Sequence, residues 1–576
     1  MYNTKIAELL SEIADMLELE GEERKFEVLA YRKASITIGS LQEDIGEIYK
    51  KKGIEGLMEL PGVGKGIAGR IKEYVETGKI LKYDELKKKY PIDFANLTRI
   101  QGMGSKKAFK LYKTLKVKDI ETLKKAVEQH KIREIEGFGE NSEEEIKRGI
   151  SLLESSGGRM ILSTALPEAE AIRETLLKSG LVEKAIICGS TRRMRETVGD
   201  LDILLISSKG EKVMDFITAM PQVDNVVAKG PTKTTVLLKI GLNCDFRLVE
   251  RESFGGAVQY FTGNKDHNIK LREIAIKKSY KLNEYGLFDR KNKNVAAGEN
   301  EEEVYNRLGL DWMEPEMREN RGEIGLALQH KLPKLIKLED MKGDLHVHTK
   351  HSGDSENRME DIVNEVRRLG RKYFGATDHS KSEYVSAGLD DRGYIKLFEE
   401  IEKVNSKLDE FRILKSGEVD ILKDGSLDIQ NKTMEQMDYV LAAVHSNMKM
   451  NKEEMTGRVV KALESGHVNI LAHPTCRLIN ERDPVQLDMD KIFEVAKENG
   501  VVMEIDAIPP RFDLNDENVI KAKEYKLKFS IDTDSHRLTQ LQYMRYGIGI
   551  AKRAWLRKED VINTMDVPAL LKFFKK

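Results

Sequence analysis

The sequence predicts a chain of several domains: an α-helical N-terminal part, a central α/β part, and a C-terminal barrel of alternating strands and helices. Three observations predict it. Residues 1–84 read as helices, with apolar residues at helical spacing, and Gly-x-Gly turns recur there and on to residue 139. In the centre, short apolar runs read as buried strands that carry carboxylates on one face. After residue 341, histidines gather at the ends of strand-like runs that alternate with amphipathic helices.

Length and composition bound this reading. The 576 residues allow three or more domains, at roughly 100–200 residues each. A net charge of -1 with 34% charged residues gives no overall basic character, so any nucleic-acid surface must be local. Cys188, Cys244 and Cys476 are scattered without CxxC spacing. That excludes a disulfide framework and a cysteine zinc finger, and it fits a cytoplasmic protein. The first residues, MYNTKIAELLSEIADMLELEGEE, are acidic and amphipathic, unlike a signal peptide. No apolar run approaches the ~18–20 residues of a membrane span.

In the N-terminal part, Ile6, Leu9, Leu10, Ile13 and Leu17 mark a helix. Leu60-Pro61-Gly62-Val63-Gly64-Lys65-Gly66 then reads as a hairpin between helices. Its glycines let backbone N–H groups approach a DNA phosphate without side-chain obstruction. A second copy is Ile100-Gln101-Gly102-Met103-Gly104-Ser105-Lys106-Lys107, and a weaker third is Ile135-Glu136-Gly137-Phe138-Gly139. Residues 101–118 hold six lysines and no acid, which reads as a phosphate-contacting face. The assigned DNA contacts here are Gly62, Gly64, Lys65, Gly66, Gly102, Gly104, Lys106 and Lys107.

The central part is organised around residues 189–205. Ala185–Cys188 reads as a strand broken by Gly189-Ser190, a turn that presents N–H groups to a phosphate. Arg192, Arg193 and Arg195 follow. Next comes Gly199-Asp200-Leu201-Asp202, where alternation puts both carboxylates on one face. Such a pair repels itself unless a cation sits between, which suits nucleotidyl transfer with two metal ions. A later strand, Asn243–Val249, offers Asp245 and Arg247 on one face; Asp245 would bridge a metal or act as general base.

These motifs, followed by Tyr260-Phe261-Thr262-Gly263 and Leu282-Asn283-Glu284-Tyr285, resemble the family X DNA polymerases. The resemblance implies an N-terminal helix-hairpin-helix, lyase-like domain over 1–84, fingers over 85–152, a nucleotidyltransferase palm over 153–256 and a thumb over 257–318. It implies Asp200, Asp202 and Asp245 as catalytic Mg2+ ligands. The nucleotide would lie against Gly189, Ser190, Arg193, Tyr260, Phe261, Gly263 and Asn268, and Arg247 and Arg272 would touch DNA. Some family members carry a Schiff-base lysine after the first hairpin; the matching position here is Arg70, which cannot form one. Weak or absent lyase activity is therefore expected.

Residues 319–341 read as a linker in which Leu332-Pro333 and Leu335-Ile336 pack on a neighbour. Beyond it lie Asp344-Leu345-His346-Val347-His348, Asp378-His379, Glu418, His445, His473-Pro474 and Asp534-Ser535-His536. Six histidines at strand ends, with HxH and DxH pairs, read as a metal cluster. This stretch, 342–576, resembles the PHP (polymerase and histidinol phosphatase) domain, a distorted (βα)7 barrel with up to three metals, Mn2+ or Zn2+. By resemblance the ligands are His346, His348, Asp354, His379, Glu418, His445, His473, Asp534 and His536. The family's usual Ser-Asp-Gly is Ser352-Gly353-Asp354 here, so the acid is displaced by one place. Arg477, just after the His473-Pro474 turn, is expected either to hold a phosphate or to make a surface salt bridge.

The expected function is filling of short gaps in DNA repair, with metal-dependent 3′-end or abasic-site processing by the barrel. Gapped or nicked DNA and dNTPs are the expected partners of a monomer. The rivals are a gap-binding scaffold and a barrel acting on a small phosphate monoester. The hairpins argue against the monoester, and intact carboxylate and ligand sets argue against the scaffold.

Overall fold

The computed structural model describes residues 2–39, 44–60, 62–97, 100, 103, 105–155, 159–291, 295–383 and 388–575. The chain forms two compact units, Met1–Gly157 with Asn480–Arg482 and Gly158–Ile479 with Asp483–Lys576.

The first unit is helical. Helix α1, Tyr2–Glu18, buries Ile6, Leu10, Ile13 and Leu17 in its core, as their spacing requires. Helix α2, Lys65–Thr77, starts at Gly64, which caps it without any side-chain bond. Gly62 turns the chain into it at φ +76, where an L side chain would be strained. Helix α3, Ser105–Leu115, buries Ala108 and Leu111. Gly102 and Gly104 lie outside the described residues.

The second unit begins with a sheet of β1 (Lys184–Ile187), β2 (Asp200–Ile206), β3 (Val223–Lys229), β4 (Lys233–Leu238) and β5 (Asn243–Leu248), in the order β1-β2-β5-β4-β3. β2 and β5 are parallel; the other neighbours are antiparallel. Leu201, Ile203 and Leu205 face the large core, together with helix α4, Leu162–Lys178. Leu204 faces the other way, with Cys188, onto helix α5, Phe254–Thr262. Helix α6, Lys265–Lys277, and an antiparallel sheet of 280–283, 286–289 and 295–297 follow.

Residues 319–341 are not the linker the sequence suggests. They contain helix α7, Glu323–Leu328, and the fully buried Glu323 pairs with His267 Nδ1 at 2.7 Å. Leu335 and Ile336 are buried too. The polar composition that reads as a tether is internal because its acids find buried cationic and imidazole partners.

The barrel strands are β6 (Gly343–Val347), β7 (Tyr373–Ala376), β8 (Arg412–Lys415), β9 (Glu418–Asp420), β10 (Leu441–Ala443), β11 (Ile470–Leu471), β12 (Val502–Asp506) and β13 (Phe529–Asp532), paired in parallel. Only two residues separate β8 from β9, so they act as one bent strand and the barrel has seven strand positions. Bridges between His379 and Glu418 and between Val347 and Ser535 join its two sheets. Buried on both faces, these strands are nearly continuous apolar runs, broken by the charged residues discussed below. Helices α8, Asp516–Glu524, and α9, Met544–Arg553, pack outside. The hydrophobic core is continuous from α4 through the first sheet into the barrel. No helix among the described residues is long and apolar enough to cross a membrane.

Candidate active sites

The first site lies at the edge of the central sheet. Parallel pairing of β2 and β5 puts Asp202 directly opposite Asp245. Asp200 is exposed at the strand start. Gly189, at φ +64, lies so close that an added Cβ would sit 2.6 Å from Asp202 Oδ2; only glycine fits. Asp245 accepts from Thr235 Oγ1 at 2.5 Å and pairs with Lys233 Nζ at 2.7 Å and Arg247 Nη2 at 3.4 Å. The Asp202 carboxyl is pushed up to about 6, first by burial and then by the charges of Asp200 and Asp245. Three carboxylates gathered at one edge, repelling one another, fit hard divalent cations.

A cleft of about 590 Å³ opens above Asp200 and Asp202, with Asp245 beside Asp202 but outside its lining. It brings Gly189, Ser190, Arg193, Tyr260, Phe261, Gly263, Asn268 and Arg272 together with Asp200 and Asp202. Tyr260 and Phe261 meet edge to face, and Arg247 stacks on Phe261 at 4.5 Å. Asn268 donates to the Tyr260 carbonyl at 2.7 Å and accepts from Gln259 at 2.7 Å, so reading a base would exchange these bonds. Arg193 donates from Nε to Glu319 at 3.0 Å and from Nη1 to the Thr262 carbonyl. Sequence reasoning missed Arg159, Lys265 and Glu319 in the lining; Arg195, noted with the motif but given no role of its own, lines it too. Glu319 carries no local signal, because its partners are distant in sequence.

The second site is the barrel mouth. Glu418 is its centre: Oε1 lies 2.7 Å from His473 Nε2 and 3.1 Å from His445 Nε2, and Oε2 lies 2.7 Å from His379 Nδ1 and 3.5 Å from His346 Nε2. His348 Nε2 lies 3.0 Å from Asp534 Oδ1 and stacks on His536 at 4.0 Å. Asp354 reaches His379 Nε2 at 3.4 Å and His536 Nε2 at 3.2 Å, so its displaced position still joins the cluster. Four groups have ligand atoms close enough to share an ion: His348/His379/His536, His346/His348/Asp534, His346/Glu418/His473 and His379/Glu418/His445.

These residues fit metal ions. His346 Nε2, His379 Nδ1, Glu418 Oε2, both nitrogens of His445 and His473 Nδ1 are buried and make no hydrogen bond, even where a partner is near. Buried polar atoms left so are costly without a further partner. His348 and His473 are lowered to about 3, chiefly by burial and then by cationic neighbours, which leaves the neutral imidazole a metal requires. His473 and Asp534 sit at φ +27 and +46, backbone strain of the kind found at functional sites.

A layer behind the ligands went unrecognised in the sequence. Glu504 accepts from His346 Nδ1 at 2.7 Å and from the His473 backbone N–H at 2.6 Å, fixing both. A lone acid in the apolar run Val-Val-Met-Glu-Ile was its available signal. Arg477 is not at the phosphate position. It pairs with Glu196 at 2.7 Å and donates to the carbonyls of Arg511 and Phe512, because Glu196 of the central part packs against this turn. Arg511 faces the cluster instead. Its Nε lies 3.6 Å from both Asp534 and Asp506, and its buried Nη1 makes no hydrogen bond among the described residues.

In the first unit, Gly64 and Gly66 leave open space where a Cβ would stand, and Lys65 is exposed. Lys106 lies 3.4 Å from Glu18, and Lys107 sits over Phe138 at 5.8 Å.

Residues 1–80 match a helix-hairpin-helix domain, 94–151 a SAM-like helix-hairpin-helix tandem, 257–319 the DNA polymerase beta thumb and 344–507 the PHP domain. The chain is 35% identical to the DNA polymerase/3′-5′ exonuclease PolX of Bacillus subtilis (strain 168), over 99% of this chain and 100% of that one. It is 25% identical to DNA polymerase lambda of Arabidopsis thaliana, over 55% of this chain and 62% of that one. It is 24% identical to DNA polymerase lambda of Rattus norvegicus, over 55% and 56%.

Proposed function

The chain belongs to the family X DNA polymerases that carry a C-terminal PHP domain, and from that premise we propose that it fills short gaps in DNA and trims or unblocks 3′ ends. The supporting observation is the presence, in one unit, of a carboxylate-lined nucleotide cleft and a largely buried eight-residue His/Asp/Glu cluster with Asp354 at its rim. Divalent metal dependence follows from both activities, and in our reading the cleft takes Mg2+ and the barrel Mn2+ or Zn2+.

In the cleft, the Gly189-Ser190 turn and Arg193 hold the triphosphate, and Tyr260 and Phe261 lie against the sugar. Asp245, held by Lys233 and Thr235, faces the primer hydroxyl and draws its proton as attack begins. Magnesium bound by Asp200, Asp202 and Asp245 would supply the charge that stabilises the transferring phosphoryl group. In the barrel, the cluster would hold metal ions that supply a hydroxide at neutral pH, and Arg511 holds the phosphodiester through its Nη1. The hairpins at Gly62–Gly66 and at 102–107 give the DNA track, and the domain limits follow the ranges expected from the sequence, save that 319–341 packs with its neighbours instead of forming a linker. The switch between compact units at Gly157–Gly158, against an expected fingers–palm limit at 152, supports that one limit.

A labelled primer on single-nucleotide-gapped DNA tests the reading. Extension with dNTP and Mg2+, followed by shortening with Mn2+ alone, is the expected result. Binding without either reaction would establish a scaffold. Shortening of nothing but a small phosphate monoester would establish the phosphatase alternative.

A further inference from the structure

Arg553 belongs to the barrel, yet its guanidinium is turned toward the nucleotide cleft. It lies near the end of α9 with only 3% of its side chain exposed. Nη1 donates to Glu319 Oε1 at 2.8 Å and to the backbone carbonyl of Arg193 at 3.0 Å. Nη2 donates to Asp516 at 2.7 Å, and Asp516 also receives Arg321 at 2.9 Å. Glu319 is thus shared: its Oε1 also accepts from Arg193 Nε at 3.0 Å, while Oε2 accepts from Asn264 at 2.9 Å and faces Arg195 at 3.6 Å. Met194, between the two arginines, packs on Gly549 of α9, where an added Cβ would lie 2.9 Å from it. The turn and the barrel helix are therefore one packed body.

We propose that Arg553 is a positioning residue of the nucleotide cleft, acting through Glu319 to aim Arg193 and to keep the cleft attractive to a triphosphate. The physical reason is charge sharing. Glu319 lines the cleft and would repel a triphosphate. Burial alone would raise its carboxyl, but Arg553 and Arg193 hold it at about 2, so it is ionised at neutral pH. Paired with Arg193 alone, it would cancel the charge that binds the nucleotide. Arg553 takes part of that pairing and raises the net charge of the group of Arg193, Arg195, Glu319 and Arg553 from +1 to +2. It also fixes Oε1, hence the Nε bond, hence the plane of the Arg193 guanidinium, whose Nη2 makes no hydrogen bond with the described residues. The barrel in this way contributes to the polymerase reaction without touching the substrate.

The inference rests on the cleft being the nucleotide site. The experiment is single-nucleotide gap filling by the full-length chain with Mg2+, resolving kcat and KM for dNTP, alongside Mn2+-dependent 3′ removal. Arg553→Met is expected to raise the dNTP KM roughly tenfold, within the usual range of coupling between sites. Its kcat and 3′ removal should stay within about twofold of the parent. Arg553→Lys should recover part of the loss. In a Glu319→Gln background, adding Arg553→Met should change KM by less than about twofold, since its route is gone. If Arg553→Met does not fold, Asp516→Asn replaces it: the arginine stays charged but loses its backing, and a smaller rise in KM is expected. An unchanged KM in the folded variants overturns the proposal. So do additive effects in the double variant, or parallel loss of both activities. Extension that survives Asp202→Ala would instead remove the nucleotide-site reading; extension that needs Asp202 but ignores Arg553 removes only the positioning role.

Discussion

In the cleft, Asp202 lies beside Asp200 and Asp245, and its carboxyl is pushed up to about 6. In the barrel, burial alone would raise Glu418, yet His445, His379 and His346 hold it well below the usual carboxylate range. Both sites gather ligands for cations, but they start from opposite charge states. The barrel cluster neutralises itself: imidazoles surround each acid, and Glu504 orients them from behind. The cleft repels itself, is partly open, and carries its compensating cations on Lys233 and Arg247 at one side. A self-neutralised, buried set can hold metals as residents. A self-repelling set takes its metals most readily with the nucleotide that brings further oxygen ligands.

The sharpest way to break this comparison is to remove one ligand from each site. Asp202→Ala should lower gap filling by about 10³-fold or more, since metal charge stabilisation supplies several kcal/mol of the barrier. It should leave 3′ removal within about twofold. His348→Ala or His379→Ala should do the reverse. Primer extension and primer shortening, run on each variant, give the two rates. Loss of both activities in any of these folded variants would mean one shared centre, and the comparison would fail.

A smaller effect separates resident from arriving metals. Glu504→Gln keeps shape but weakens the acceptor that fixes His346. Metal affinity of the barrel should fall by about 10–100-fold, as for other partners behind metal ligands. Competition with a chromophoric chelator measures it. Gap filling should not change, and the metal that survives dialysis of the parent should track the barrel ligands rather than Asp202. An unaltered barrel affinity would show that Glu504 is scaffolding only.

Much of both sites was legible because their ligands sit on short, local motifs. Asp200 and Asp202 share a strand face by alternation, and Gly189 is the residue the close approach of Asp202 demands. The strand-end histidines announce the barrel for the same reason: a buried run followed by a polar ligand is a local pattern. What stayed hidden depends on pairs far apart in sequence. Glu319 reads as linker until Arg193 and Arg553 are seen around it. Arg511, to which sequence reasoning assigned no role, faces the cluster, while Glu196, from another part of the chain, captures Arg477. A motif reports a residue's neighbours in sequence, and a charged side chain's task is set by its neighbours in space.

The cleft side should also be acid-sensitive in its packing. Glu301 is buried and pairs with Arg318 at 2.6 Å and Arg192 at 2.9 Å. Burial alone would raise its carboxyl, but Arg318 and Arg192 hold it at about 2, against 4.5 for the ordinary group. A depressed folded value means the stabilisation is complete above the unfolded value and is lost as pH falls through the folded one. The contribution is on the order of 3 kcal/mol and should fade between about pH 4.5 and pH 2. Glu301→Gln should therefore be clearly less stable than the parent at pH 6 by urea unfolding, with the gap closing in acid. A gap independent of pH would mean that shape, not charge, stabilises this junction.

The smallest expected effect is none at all, and it concerns the first unit. A lyase that removes a 5′-deoxyribose phosphate needs an amine that can lose its proton and attack the sugar aldehyde. At the matching position stands Arg70, whose guanidinium stays charged and whose Nη1 lies 3.3 Å from Glu73. Lys72 is two residues on, about 200° around α2 at 3.6 residues per turn, and its Nζ lies 4.0 Å from Glu76. Lys65 is exposed at the first residue of α2, five positions before Arg70, where the free helix N–H groups favour a phosphate over an aldehyde. Borohydride trapping on DNA bearing a 5′-deoxyribose phosphate should give no efficient adduct, and Lys65→Ala or Lys72→Ala should change nothing in that assay. Arg70→Lys restores an amine at the matching place and should give the first measurable adduct. An efficient adduct with the parent, lost in either lysine variant, would show that a neighbouring amine reaches the sugar and that this hairpin does chemistry as well as grip.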